Sequence, residues 1–143
     1  MITFDHEEYS DCIDEIVEHL STHGEEVENM PVAPDLLAYK TASEAGHLPI
    51  FTMRNWDELV GYAAFWVYDH PHHRGKVFAN CDLVYIVPEH RGPMALQFFE
   101  YIEEQLGDVH ALTYTFKLEH DHPELMEYLG MKHTEKVYTK VLG

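Results

Sequence analysis

The run from Leu59 to Tyr68, LVGYAAFWVY, constrains the fold more than any other stretch of the chain. It carries no charge and no polar alternation. Both of its faces therefore need cover, which places it in the middle of a sheet. It is of strand length and far short of the roughly 20 apolar residues that span a bilayer. The flanking sequence supplies the covering elements. From His6 to about His23 the apolar positions Tyr9, Ile13, Ile16, Val17 and Leu20 follow helical spacing. Asp5 stands as N-cap, Glu8 completes a capping box, and Gly24 stops the helix. A polar turn, Glu25–Pro31, leads to a second helix that Pro34 and Asp35 open and that ends near Gly46.

Strands dominate the next stretch. Residues 1–4 and Leu48–Arg54 read as strands, with a turn at Asn55–Glu58. After the loop Asp69–Gly75, a strand runs from Lys76 to Val87 and ends where Pro88 cannot donate to a ladder. A helix follows over Pro93–Leu106, with Leu96, Phe99, Tyr101, Ile102 and Leu106 on its buried side and Gly107 as its stop. Val109–Lys117 is a strand, Asp121–Leu129 a short helix, and Met131–Leu142 a final strand. The order (β)ααβββαβαβ predicts an α/β (α+β) fold over a single domain, residues 1–143, with a mixed, mostly antiparallel sheet and helices on both faces. The strands Lys76–Val87 and Val109–Lys117 should be parallel neighbours, because a helix crosses between them.

Charge narrows the functions. The chain carries 26 acidic and 9 basic residues, for a net charge of −17. Residues 1–60 hold 14 of the acids and 2 of the bases. Such a chain cannot displace counterions from a phosphate backbone, so direct nucleic-acid binding is not expected. The acidic surface serves solubility or attracts a cationic substrate or partner. The start, MITFDHEEYSD, has neither the basic nor the apolar region of a secretion signal. Cys12 and Cys81 show no CxxC spacing, so a reduced cytoplasmic protein is the expectation, with no membrane partner.

Two places carry chemistry. At residues 82–106 a strand enters a Gly-containing turn that opens a helix, an arrangement that aims backbone N–H groups and a helix N-terminus at an anion. Arg91 adds a cationic fork there; the plainer alternative is a solvated surface arginine. Asp82 lies inside the apolar strand, where an unpaired acid is costly. It is either used as a base or bonded to a neighbouring loop or lysine. The histidines at 70, 72 and 73, and at 120 and 122, lack the i, i+4 pairing or cysteine partners of a zinc site. No metal is expected, and they read as a polar lip around a cleft.

The segment DLVYIVPEHRGPMALQFFEYIEEQL, Asp82–Leu106, resembles the signature of the GNAT (GCN5-related N-acetyltransferase) family, a strand ending in V-x-P, an Arg-Gly turn and a helix. The segment HPELMEYLGMKHTEKVYTKVL resembles that family's closing helix and strand. HGEEVE near residue 25, GYAAFWV before a His-rich loop, NCD before VYIVPEHRG, and Lys117–Asp121 look most like acetyltransferases of tailed phages. The resemblance implies acetyl-CoA as acetyl donor, bound where the two parallel strands splay near Val87. It puts the pantetheine arm on backbone groups of Tyr85, Ile86 and Val87, with the amide of Ile86 or Val87 polarising the thioester carbonyl. His90, Arg91, Gly92, Met94 and Ala95 would face the pyrophosphate. Asp82 would be the catalytic base that takes the proton of the acceptor amine.

The chain departs from that pattern in two places. Met94 and Leu96 stand where small residues are expected, and Pro93 lacks an N–H. Met126 stands where many members place a tyrosine that protonates the leaving thiolate; Tyr114, Tyr138 or a water would substitute. The expected activity is acetyl transfer to a primary amine, with a cationic acceptor such as a polyamine, an aminoglycoside-like amine or a Lys-bearing protein. The alternative is a catalytically degenerate GNAT-fold protein whose acidic surface engages a basic host protein. The resemblance also implies a homodimer and, for a phage protein, the host cytoplasm.

Overall fold

The computed structural model describes residues 1–23 and 33–143. Its sheet has five strands in the order β1 (Ile2–Glu7), β2 (Ile50–Asn55), β3 (Glu58–Asp69), β4 (Val77–Ile86) and β5 (Ala111–Thr113). The first four are antiparallel to their neighbours, and β4 and β5 are parallel. Helix α1 (Tyr9–His23) and helix α2 (Leu36–Glu44) lie on one face. Helix α3 (Pro93–Gln105) and the short α4 (Pro123–Tyr128) lie on the other. No helix among the described residues is long and apolar enough to cross a membrane.

β3 occupies the centre and is buried on both sides, the position its unbroken apolar run requires. Val60, Ala63 and Phe65 pack toward α3, with Phe51, Phe98 and Ile102. Leu59, Tyr62 and Ala64 pack toward α1, with Ile16 and Leu48. Burial of each large side chain contributes about 1.5–3 kcal/mol. Gly61 lies where β2 and β4 close in. A Cβ there would meet Met53 Cβ at 3.2 Å and Ile86 Cγ1 at 3.3 Å.

The structure corrects three sequence expectations. First, the helix expected from His6 begins at Tyr9, and no Asp5–Glu8 capping box forms. β1 instead continues through Glu7, whose ladder partner is Ile50, and the Asp5 carboxylate accepts from the His6 amide. Sheet pairing outcompetes the local cap. Second, the strand expected over Val109–Lys117 pairs only at Ala111–Thr113. Third, Met131–Leu142 joins no ladder among the described residues. Lys132, Lys136 and Lys140 share one alternate face with Tyr138 and Leu142, while His133 and Glu135 share the other with Val137 and Val141. Neither face is apolar enough to bury, so nothing fixes a register. The stop at Gly24, the turn Glu25–Pro31 and most of the HGEEVE segment lie outside the described residues. Asp35 does cap α2, accepting from the Ala38 amide at 3.1 Å.

Arg54 on β2 joins three elements. Its Nε and Nη2 donate to Glu7 at 2.8 and 3.0 Å, and Nη1 and Nη2 to Glu15 of α1 at 3.2 and 2.9 Å. Nη1 also donates to the Asp57 carbonyl at 2.8 Å. Burial pushes the Glu7 carboxyl up, but hydrogen bonds from Arg54 and Thr52 outweigh it and hold the group below the usual carboxylate range. This contribution is present above the unfolded pKa of about 4.3 and fades as pH falls through the lower folded value. Arg54→Met should therefore lower stability at pH 7 by about 1.5–3 kcal/mol, the scale for bonds to charged groups. Urea unfolding checks this, and the gap from wild type should close on acidification below about pH 4.

Candidate active site

β4 and β5 pair at only three rungs, Phe78 with Ala111, Ala79 with Leu112 and Asn80 with Thr113. At the last rung the Thr113 hydroxyl donates to the Asn80 side-chain carbonyl, and Asn80 Nδ2 donates to the Tyr68 hydroxyl at 3.2 Å. Beyond this clasp the strands part, and β4 continues for six more residues to Ile86 without β5 beside it. The split was expected near Val87 and begins instead after Asn80. A bulge accounts for the early start. Ala64 of β3 opposes Leu83 and Phe65 opposes Cys81, so Asp82 is the extra residue, and such an insertion bends and twists its strand.

The free edge of β4 has a definite polarity. The Val87 amide donates to the Val60 carbonyl at 2.9 Å, toward β3. Strand alternation then turns the N–H and C=O of Ile86 and Val84 toward the gap that β5 leaves. Arg91 Nε donates to the Ile86 carbonyl at 2.7 Å, which shows that this carbonyl faces the open side. Of the backbone groups expected to meet a pantetheine arm, Ile86 lies in the gap. Tyr85 and Val87 face β3, and Val84, which sequence reasoning passed over, joins Ile86. The Val87 amide is thereby excluded as the carbonyl-polarising donor.

The turn after β4 is a single 3-10 turn, Pro88–His90, whose His90 and Arg91 amides donate back to Val87 and Pro88. Gly92 follows at φ 140°, a conformation that favours glycine, and precedes Pro93 as the first residue of α3. Intrahelical bonding begins with the Leu96 amide, which donates to Gly92. The first-turn amides of Met94 and Ala95 have no acceptor within the helix, and no side chain caps it. These amides suit an anion. Arg91 is exposed beside them, but its guanidinium is turned back onto β4, 5.5 Å from the centre of the Tyr85 ring.

Asp82 points to the opposite, α1–α2 side. One carboxylate oxygen accepts from the Tyr39 hydroxyl of α2 at 2.9 Å, and the other from Trp66 Nε1 of β3 at 2.9 Å. The Tyr39 and Trp66 rings stack at 6.0 Å. Burial, then the bond to Asp82, raises the Tyr39 phenol above its ordinary range. Both donors were missed in the sequence. A Trp N–H in a doubly covered strand needs an acceptor, and Asp82 in the next strand is the acid available; Tyr39, 43 residues away, gives no local signal. On the same side a groove of about 280 Å³ is lined by Glu15, Glu18, His19, Thr22, Glu58 and Leu59. The His19 ring meets Tyr62 and Tyr85 edge-on at 5.5 and 5.8 Å.

The other singled-out residues lie as follows. Met126 is half-buried on α4, and Tyr128 turns away to donate to Glu100 of α3 at 3.2 Å. Tyr138 is 88% exposed. The Tyr114 hydroxyl is buried without a hydrogen-bond partner, its ring against Phe65 and Phe99, and burial raises its pKa. His70 packs on Phe78 at 4.4 Å and on His73 at 4.8 Å. His122 meets Phe116 edge-on at 5.2 Å.

No family model matches the chain, and no curated protein matches it. Solved structures do. Glucosamine-6-phosphate N-acetyltransferase from Arabidopsis thaliana superposes with a TM-score of 0.74 at 11% identity, covering 100% of this chain and 99% of the other. A predicted acetyltransferase with acetyl-CoA from Clostridium acetobutylicum gives 0.76 at 14% identity, with 99% and 96% coverage. An aminoglycoside acetyltransferase from an uncultured soil metagenomic sample, in complex with sisomicin, gives 0.71 at 12% identity, with 99% and 95% coverage. At these identities the likeness is one of fold, and the fold is that of the GNAT acetyltransferases.

The polarity of the β4 edge can be read directly by amide exchange. The Val84 and Ile86 amides should exchange at least tenfold faster than those of Tyr85 and Val87 in the free protein, because only the latter pair is held by β3. Hydrogen–deuterium exchange followed by NMR measures all four.

Proposed function

We propose that the chain transfers the acetyl group of acetyl-CoA to a primary amine. The observation that carries this reading is the parting of β4 from β5. It leaves the amides of Val84 and Ile86 without a strand partner along one wall of a gap, with the open first turn of α3 at its end. Amides in a row pair with an extended amide-bearing arm, and a helix N-terminus receives a pyrophosphate. The folds it shares with acetyltransferases, one of them with acetyl-CoA, support the same donor.

In this reading the Met94 and Ala95 amides, with Arg91 swung out from β4, hold the phosphates. The amide of Val84 or Ile86 polarises the thioester carbonyl as negative charge develops on its oxygen. Asp82 receives the proton of the attacking amine. The N–C bond forms as the C–S bond breaks, and the electron pair leaves with the sulfur. A thiol of pKa about 8.5 leaves at neutral pH without an acid, so Met126 does not block the step. The acceptor we propose is cationic. The acids of the groove beside α1 favour positive charge, and the aminoglycoside acetyltransferase with its bound sisomicin supports an amine of that class.

Titration calorimetry with acetyl-CoA tests the reading first. Binding should be measurable, and Arg91→Ala should weaken it by about 1–3 kcal/mol. Asp82→Asn should lower turnover by about 100-fold or more and leave acetyl-CoA affinity unchanged, while Met126→Leu should keep most activity. No heat and no thermal shift at millimolar acetyl-CoA would instead favour a GNAT-fold protein without catalysis, whose acidic surface engages a basic protein.

A further inference from the structure

We propose that Tyr39 and Trp66 are positioning residues for Asp82, holding its carboxylate fixed in orientation for an incoming amine. The inference rests on the acetyl-transfer reading and assigns a function to two residues that it leaves unused. Three features of the geometry support it.

The two donors come from different elements, α2 and β3, and each takes a different oxygen of the same carboxylate at 2.9 Å. A carboxylate held through both oxygens cannot rotate about its last bond. The stacked rings, 24° from parallel, fix the donors themselves. A carboxylate also has about four lone-pair positions. Two are in use, which leaves one on each oxygen for an amine N–H. Finally, both donors are neutral, and a hydrogen bond from a neutral donor is stronger to a carboxylate than to a carboxylic acid. Asp82 occurs at the bulge, where the strand bends out of register and one side chain is displaced from the regular ladder.

Among the described residues, two titratable groups, Tyr39 and Cys81, are coupled electrostatically to Asp82. α2 contributes Tyr39, whose phenol is neutral throughout the working range, and β4 contributes Cys81, whose thiol burial, and then Asp82, push well up. β3 contributes Trp66, which does not titrate. A change at Asp82 can thus be assigned without a competing ionisation from these neighbours.

The test uses Tyr39→Phe and Trp66→Phe, which keep a ring in the stack and remove one donor each. The Asp82 carboxyl is followed by carbon-13 NMR against pH, its resonance assigned by its loss in Asp82→Asn. Each substitution should raise the Asp82 midpoint by about half a unit to one unit, the loss of one hydrogen bond to the charged form. A midpoint that stays put in both variants overturns the proposal. In parallel, CoA release is measured with acetyl-CoA and spermidine. Where the wild type turns over, the acidic limb of kcat/KM should move to higher pH by the same amount, with the KM for acetyl-CoA unchanged. A limb set by the amine itself would not move, and that result overturns the catalytic part of the proposal. A merely structural role would lower the melting temperature of the variants and leave both midpoints in place. Acetyl-CoA that fails to bind the wild type, with the NMR midpoints moving as expected, would remove acetyl transfer while upholding the control of Asp82 by its two donors.

Discussion

The parting of β4 from β5 is the feature on which the rest of the site depends. Three rungs of parallel pairing, clasped at Asn80 and Thr113, give way to a strand edge along which the Val84 and Ile86 amides have no strand partner. Unpaired backbone groups inside a sheet are costly, and a fold retains them where something else pairs with them. Here the β-bulge at Asp82 has two effects at one point. It falls just past the last rung shared with β5, where such an insertion bends its strand, and it delivers an acidic side chain to the α1–α2 face. In the acetyl-transfer reading proposed above, the edge that holds the donor and the group that receives the proton therefore lie at the same irregularity of β4.

The two faces of the sheet carry different chemistry. Toward α3 the packing is apolar, and the helix opens on the uncapped first-turn amides of Met94 and Ala95. Toward α1 and α2 the surface is acidic, with Glu15, Glu18 and Glu58 around one groove and Arg54 tying Glu7 and Glu15 together behind it. An anionic ligand is favoured on the first side and a cationic one on the second. In the acetyl-transfer reading proposed above, ligands from the two sides meet at the gap between β4 and β5.

Much of the fold was legible because it depends on burial. The uncharged, unalternating run of β3 required the sheet centre, the crossover helix required β4 and β5 to be parallel, and the periodic apolar positions of α1 and α3 required helices packed on the sheet. The failures share a different cause. Asp5 and Glu8 form a good local cap, yet β1 gains more by pairing with β2 through Glu7. The segment after Gly130 has strand length and β-branched residues but no consistent face, so local propensity alone misassigns it. At the site, the Arg-Gly turn and Asp82 stood out from chemistry. Tyr39, Trp66 and the Val84 amide did not. The first two are partners brought together by the fold, and the third is selected by which side of β4 faces β3, a parity set by the bulges and invisible in composition.

The most direct test of this account is an NMR titration of the nitrogen-15-labelled protein with acetyl-CoA. The account predicts that the amides of Val84, Ile86, Met94 and Ala95 shift together with one saturating midpoint, and that the Val84 and Ile86 amides become slow to exchange. The Val87 amide, already bonded to Val60, should change little. Saturable shifts confined to other surfaces, or none at these four amides, would contradict it.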